Sequence, residues 1–277
     1  MTEADLQLAL DWAAAEGWNP GWRDGAAFYA ADPEGFWMGE VEGEAIACIS
    51  TVCYSPAFAF IGFYIVKPEW RDRGYGYSLW QQAMARLAPR LAPQQRCIGL
   101  DGVLEQEATY RKAGFVTAYR HIRHVWESSE ELPLSPEVRS LSDIPFDALV
   151  AFDTAHFPAP RPAFLRQWIA NATAGYAIEE GDALAGYGTI RRCRAGFKIG
   201  PLFAHSFETA DAIWRSLARH ANGQPIFLDN PDINPEAIAL AQRYSMQPVF
   251  TCARMYSGSP PSTNLPQIFG VTSLELG

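Results

Sequence analysis

Apolar residues at Leu6, Leu8, Ala9, Leu10, Trp12 and Ala13 recur at helical spacing through residues 5–16, with Thr2 or Asp5 placed to cap the first turn. A loop rich in Gly, Pro and Trp follows, Glu16-Gly17-Trp18-Asn19-Pro20-Gly21. The text then changes to short apolar runs split by turn residues: Phe36–Val41, residues 45–54 and Phe58–Val66, separated by Glu42-Gly43-Glu44 and Ser55-Pro56. Three such runs predict an antiparallel meander. Pro68 stops the third strand, and residues 75–91 return to helical period with Leu79, Trp80, Ala83, Met84 and Leu87 on one face. A strand at 97–100, a helix at 104–112 and a strand at 115–126 complete a mixed, mostly antiparallel α/β sheet flanked by helices.

The same order returns more faintly in the second half. Residues 177–180, a Gly181-Asp182 turn, 183–193 and 196–203 read as a meander, and 209–220 as a helix with Ala210, Ile213, Trp214 and Leu217 apolar. Ile226-Phe227-Leu228-Asp229 mirrors Ile98-Gly99-Leu100-Asp101, and Gln242-Arg243-Tyr244-Ser245-Met246 mirrors Arg111-Lys112-Ala113-Gly114-Phe115. This is internal duplication. Residues 127–138 mix charge, Ser and two Pro without period and read as a linker. The expected division is therefore 1–126, a linker at 127–138, and 139–277.

Composition narrows the class. The chain has 277 residues, 48% hydrophobic and 13% aromatic with nine Trp, enough for two packed cores. No apolar run approaches the ~18–20 residues of a membrane span, and the acidic start Met1-Thr2-Glu3-Ala4-Asp5 is unlike a signal peptide, so the expected location is the cytoplasm, away from membranes. Five Cys without CxxC spacing suit reduced thiols, and no metal is expected. A net charge of -9 argues against a nucleic-acid partner. It mildly favours a cationic small molecule, although solubility alone accounts for it.

The most informative stretch is Ile65-Val66-Lys67-Pro68-Glu69-Trp70-Arg71-Asp72-Arg73-Gly74-Tyr75-Gly76-Tyr77, a strand broken by Pro and joined to a helix through two glycines. Gly74 and Gly76 let successive N–H groups converge, and the first helical turn adds unpaired N–H groups and partial positive charge. A pyrophosphate fits such a site, with Arg71 and Arg73 adding full charge. An ordinary strand-to-helix turn with solvated arginines is the plainer alternative for the glycines alone.

With Val-x-Pro before it and Arg-x-x-Gly-x-Gly within it, this stretch resembles the GNAT superfamily of acetyl-CoA-dependent N-acetyltransferases, over about residues 36–115. The resemblance implies that the loop amides of residues 71–77 hold the coenzyme A pyrophosphate while Ile65 and Val66 bond the pantetheine. It also implies direct attack of a neutral amine on the acetyl thioester, with a main-chain N–H near Val66 stabilising the oxyanion. Tyr110-Arg111-Lys112-Ala113-Gly114-Phe115 looks like the family's Tyr-x-x-x-Gly-Phe helix end, which puts Tyr110 at the place of the general acid that protonates the leaving thiolate. A ring packed on the sheet is the alternative role.

The acceptor side is less defined. Asp101 is the candidate base, with Glu69 and Glu105 behind it, although Asp101-Gly102 also reads as a turn. Trp18, Asn19, Asp24 and Asp32 lie where the family places its acceptor-binding segment, and loop aromatics with capping aspartates are the plainer reading. His121 and His124 are expected to be solvated or structural. Arg161 and Asp153 are weaker acceptor candidates.

Departures from the family pattern concentrate in the second half. Lys198-Ile199-Gly200-Pro201-Leu202-Phe203-Ala204-His205 stands where the glycine loop belongs, and Ala241 replaces the tyrosine. Asn234 holds a helix start where the first half has Val103. A degenerate scaffold that dimerises internally with the first half or shapes the acceptor pocket is therefore expected there, in a monomer or a homodimer. Residues 267–276 have strand character and are expected to fill the open edge of the first half. The functions left open are an amine acetyltransferase, a non-catalytic acyl-CoA-binding or regulatory module, and a tandem transferase using another donor.

Overall fold

The computed structural model describes every residue except 95, 128, 129 and 131. Thr2 opens helix α1 (Glu3–Ala15) with a capping box, its N–H donating to Asp5 Oδ2 at 2.7 Å while its hydroxyl accepts from the Asp5 amide. Leu6, Leu10 and Ala13 face inward as a result. Between the loop at 16–21 and the first strand, where no element is expected, lies a second helix, α2 (Asp24–Ala31), which has no side-chain cap and too few residues to show a period. Strands β1 (Phe36–Val41), β2 (Glu44–Ser55) and β3 (Phe58–Val66) form the expected meander. Helix α3 (Tyr75–Leu87) stops short of residue 91 because Pro89 turns its end into a single 3-10 turn. Strand β4 (Cys97–Val103), helix α4 (Glu107–Lys112) and strand β5 (Val116–Trp126) follow.

The second half opens with β6 (Arg139–Ser140), α5 (Phe146–His156) and α6 (Pro162–Asn171). It continues through β7 (Ala174–Glu180), β8 (Ala183–Arg192), β9 (Phe197–Ala204), α7 (Phe207–Ala218), β10 (Ile226–Pro231), α8 (Pro235–Arg243), β11 (Gln247–Ser257) and β12 (Ile268–Gly270). Of the expected linker, residues 128, 129 and 131 lie outside the described residues, and the remainder is neither helix nor strand.

Among the described residues the strands make one sheet, ordered β1-β2-β3-β4-β11-β5-β10-β9-β8-β7-β6, with β12 paired to β9. The centre of that order is an exchange. β11 of the second half lies between β4 and β5 of the first, and β5 in turn pairs with β10 of the second. His121 faces Cys252 at the middle of the β5–β11 pairing, and from there the two halves diverge in mirrored order.

Packing follows the same duplication. Helix α3 buries Leu79, Ala83 and Leu87 against first-half strands, and α7 buries Ile213, Trp214 and Leu217 against second-half strands. A third cluster joins the halves, with Leu6, Leu10 and Phe28 packed with Phe164, Leu165 and Trp168. No helix among the described residues is long and apolar enough to cross a membrane.

The C-terminal segment departs from the expected place. Only Ile268–Gly270 is strand, and it pairs with β9 of its own half rather than with the open edge of the first. Two side-chain amides explain this: Asn234 Nδ2 donates to the carbonyls of Pro266 (3.0 Å) and Ile268 (2.9 Å), and Asn230 Nδ2 to that of Phe269 (2.7 Å). Beyond Gly270 the chain crosses to the first half, where Tyr54 Oη donates to the Leu276 carbonyl at 3.0 Å.

Candidate active site

Strands β3 and β4 pair in parallel only from Phe58 with Cys97 to Ile61 with Leu100. Past Ile61 they separate, leaving the Gly62–Val66 side of β3 without a paired strand on that edge. The separation begins at an irregularity: the β2–β3 register slips between Cys48 and Ser50, and Phe63 there adopts φ +48° with its side chain buried. A positive φ at a bulky residue is uncommon and persists only where packing fixes it.

At the end of β3 one 3-10 turn, Pro68–Trp70, leads to Asp72 (φ +60°) and Gly74 (φ +82°), and α3 begins at Tyr75. No side chain caps α3. Its first-turn amides and the positive end of its dipole are thus free of a built-in acceptor. A Cβ on Gly76 would lie 2.9 Å from Val66 Cγ2 and 3.0 Å from Tyr64 Oη, so only glycine lets the helix start approach the strand this closely.

The separated strands and the loop enclose a cavity of about 640 Å³. Ile65, Val66, Arg71, Asp72, Gly74, Gly76, Tyr77, Tyr110 and Asp101 line it, as does Trp18, while Arg73 and Tyr75 do not. The arginines take other partners than a phosphate: Arg71 Nε donates to the Val66 carbonyl at 2.8 Å and its guanidinium pairs with Glu16, while Arg73 lies over the Trp70 ring at 5.3 Å. Glu105 also lines the cavity and Glu69 does not.

Tyr110 is nearly buried against Trp80 and Phe115, and a Cβ on Gly102 would touch its ring. Burial, with nearby Tyr64 adding to it, pushes its phenol well above the ordinary value, so it remains protonated. Asp101 is fully engaged. Arg254 binds it through two hydrogen bonds of 2.8 and 2.7 Å, and His121 Nδ1 lies 3.0 Å from Oδ1. Burial alone raises a carboxyl's pKa, but Arg254 and His121 outweigh it and hold Asp101 below the usual range. A carboxylate so paired is a poor proton acceptor for an incoming amine. Cys252 joins Asp101 and His121 within 4.8 Å, and the Arg254 guanidinium already supplies a cation at that carboxylate.

The other acceptor candidates are structural ties. Asn19 bonds both main-chain groups of Ala195, Asp24 pairs with Arg191 at 3.0 Å, and Asp32 pairs with Arg90 and accepts from the Cys53 amide. Arg161 and Asp153 form a buried two-bond pair, and Arg161 also holds Thr272 of the C-terminal segment at 2.8 Å. His121 and His124 are buried rather than solvated, His124 against Asn230 at 2.8 Å.

The second half has the corresponding gap and fills it. β9 and β10 pair in parallel over Phe197–Ile199 with Ile226–Leu228 and then separate, and β12 lies between them, paired to Leu202 and Phe203 with the Val271 amide on the Asp229 carbonyl at 3.0 Å. Of residues 198–205, which stand where the glycine loop belongs, 198–204 are part of β9, in keeping with the meander read over 196–203, and only His205 and Ser206 connect to α7. Ser206 itself caps α7, accepting from the Thr209 amide at 3.2 Å. Strand edge and helix start are both already occupied there.

The second half reaches the first half's cavity through residues that sequence reading did not name: Phe250 and Cys252 from β11, and Leu274 and Glu275 from the C-terminal segment. Nothing local marks these residues, because the exchange of β11 places them there. Gly62 carries a fainter signal, a glycine inside an apolar strand, and the Glu275 carbonyl lies 1.8 Å from where its Cβ would be.

Residues 6–115 match the acetyltransferase (GNAT) family, and residues 149–270 match the acetyltransferase (GNAT) domain. The chain is 33% identical to holothin acyltransferase of Pseudoalteromonas sp. (strain SANK 73390), over 99% of this chain and 92% of that one. In structure it is similar to a Pyrococcus horikoshii protein assigned as an acetyltransferase (TM-score 0.83, 22% identity, covering 100% and 94% of the two chains). It is also similar to a tandem GNAT protein from the clavulanic acid biosynthesis pathway (TM-score 0.60, 15% identity, 95% and 98%).

Proposed function

From the premise that the chain belongs to the GNAT family as a tandem member and is an N-acyltransferase, we propose that its N-terminal half moves an acetyl group from acetyl-CoA to a primary amine of a small molecule or peptide by direct attack. The observation that carries this reading is the asymmetry between the two strand gaps. The first is open beside an uncapped glycine loop, and the second is filled by β12 beside a helix capped by Ser206.

In this reading residues 1–126 are the catalytic unit, 127–138 the connector and 139–277 a scaffold that supplies cavity wall. The amides of residues 71–77 hold the pyrophosphate, and the free edge of β3 at Ile65 and Val66 bonds the pantetheine. Arg71 acts by fixing the Val66 carbonyl, which orients that edge. When bound, the thioester supplies the acyl group. A main-chain N–H near Val66 stabilises the negative charge that builds on its oxygen. Tyr110, kept protonated by burial, donates its proton to the departing sulfur. Asp101 enters through Arg254, as an anchor between β4 and β11. The proposed setting is the cytoplasm, where the five free thiols stay reduced.

The relative named for holothin makes holothin the first acceptor to try. Titration calorimetry with acetyl-CoA tests the donor site. Thiol release with holothin and a panel of polyamines, amino acids, aminoglycosides and peptide amines tests the transfer. Donor binding without turnover on any of them would favour a binding or regulatory module instead.

A further inference from the structure

Glu275 is buried (3% exposed), and neither of its carboxylate oxygens has a hydrogen-bond partner. Among the described residues it is the one cavity-lining side chain whose buried polar atoms are left in that condition. Leaving a buried carboxylate without donors is costly, and such groups in folded proteins call for a reason.

Its position is built rather than incidental. The C-terminal segment is held before it by Arg161 on Thr272 and after it by Tyr54 on Leu276, and the Leu276 amide donates to Ser273 Oγ at 3.1 Å. Between these ties the Glu275 main chain lies against Gly62, where the β3 edge separates from β4. Glu275 therefore belongs to the wall of the same cavity as Val66 and Tyr110, its carboxylate oxygens buried behind that wall.

Its charge has counterparts, whereas its lone pairs do not. Arg123, also in the cavity wall, binds Asp229 through two hydrogen bonds, and Lys198 Nζ lies 4.0 Å from the same carboxylate. Two cations thus share one anion, and Glu275 supplies the second, favouring the charged forms of both Arg123 and Lys198. What it lacks is a donor at hydrogen-bond distance. An acceptor amine brings N–H donors.

We propose that Glu275, delivered by the second half, accepts the hydrogen bond and then the proton of the acceptor's amino group in the cavity of the first half. The proposal rests on the acyl-transfer reading above. An acceptor arriving as ammonium first loses one proton to water. As the nitrogen–carbon bond forms and the carbon–sulfur bond breaks, the second proton passes from nitrogen to Glu275, while Tyr110 protonates the departing sulfur. Glu275 then releases its proton to solvent and Tyr110 regains one. The products are the amide and the free thiol.

The test uses the full chain with acetyl-CoA and the amine panel, holothin included. In Glu275→Gln we expect turnover to fall by about 100-fold, with the chain folded and acetyl-CoA affinity as in the wild type. In Glu275→Ala, added formate restores part of the lost rate, which a purely structural role would not allow. Turnover within threefold of wild type in the Gln variant, no rescue in the Ala variant, or loss of donor affinity in step with rate would each overturn the proposal. So would a wild-type chain that binds acetyl-CoA and turns over none of the amines. Failure of the wild type to bind acetyl-CoA at all would instead remove the acyl-transfer reading beneath it, and this proposal with it.

Discussion

Arg254, on β11 of the second half, binds Asp101, on β4 of the first, through Nε–Oδ1 (2.8 Å) and Nη2–Oδ2 (2.7 Å) bonds. Its twin runs the other way: Arg123 on β5 of the first half binds Asp229 on β10 of the second at 2.6 and 2.9 Å. Each arginine lies two residues beyond the central His121–Cys252 position, so the two pairs are related by the same duplication that relates the halves. Strand exchange alone gives main-chain pairing, which any apolar strand satisfies. The reciprocal ion pairs add a requirement that only these two strands meet.

Removing one member of such a pair should cost far more than the pair itself contributes. Arg254→Met leaves Asp101 buried with only His121 beside it, a loss of about 3–5 kcal/mol. Urea unfolding of that variant measures the loss. The double variant Arg254→Met with Asp101→Leu should lose clearly less than the single, because no charge is then stranded. Equal losses in both would mean that the pair acts through shape rather than charge.

The pH dependence follows with a definite sign. Burial raises the pKa of Asp101 and Asp229, but Arg254 and His121 at the first, and Arg123 and Lys198 at the second, outweigh it and hold both below the ordinary 3.8. The unfolded chain therefore takes up these protons first. The pairs' contribution is complete above about pH 4 and is lost as pH falls below that value. Acid unfolding followed by circular dichroism should show stability declining below that point, with a smaller decline in Asp229→Asn.

How far the sequence disclosed this arrangement depended on range. The meander, α3 and the glycine loop were legible because alternation, helical period and Gly74 and Gly76 act within a few residues. Helix α2 was not, being eight residues long and uncapped, with Asp24 turned back to the Gly21 amide and to Arg191. Asp101 reads as the end of a strand or as part of a turn, whereas it lies inside β4, and its partner is 153 residues away. Glu275 carried no mark at all, one acid between Leu274 and Leu276. Its significance arises only when Asn234 and Asn230 hold β12 in the second gap and the rest of the chain crosses over.

Two substitutions in the first half's cavity should separate binding from chemistry. In Gly76→Val the side chain meets Val66 and Tyr64, and overpacking of about 1–3 kcal/mol moves the helix start from the strand. Acetyl-CoA affinity should fall by about ten- to a hundredfold. Tyr110→Phe keeps the ring packing on Trp80 and removes only the proton, so kcat should fall by about 100-fold while donor affinity holds. Calorimetry and steady-state rates on the same preparations distinguish the two. Parallel loss of affinity in Tyr110→Phe would make that residue part of the donor site rather than an acid.

Gly62→Ala tests whether the second half reaches the reaction through its C-terminal segment. The added Cβ would lie 1.8 Å from the Glu275 carbonyl, and both atoms belong to main chain, so no rotamer change relieves the contact. Either β3 or the segment must move. β3 is held on its other side by β2 and, up to Ile61, by β4, whereas the segment near Glu275 is tied by side chains at Thr272 and Leu276. The segment should therefore yield, carrying Glu275 out of register by about an ångström, a displacement that can cost about 100-fold in rate. Acetyl-CoA affinity should change little, since the glycine loop and Val66 lie beyond the contact. A Gly62→Ala variant that loses donor affinity and retains acceptor turnover would show instead that β3 had moved, and that the segment is the more rigid of the two.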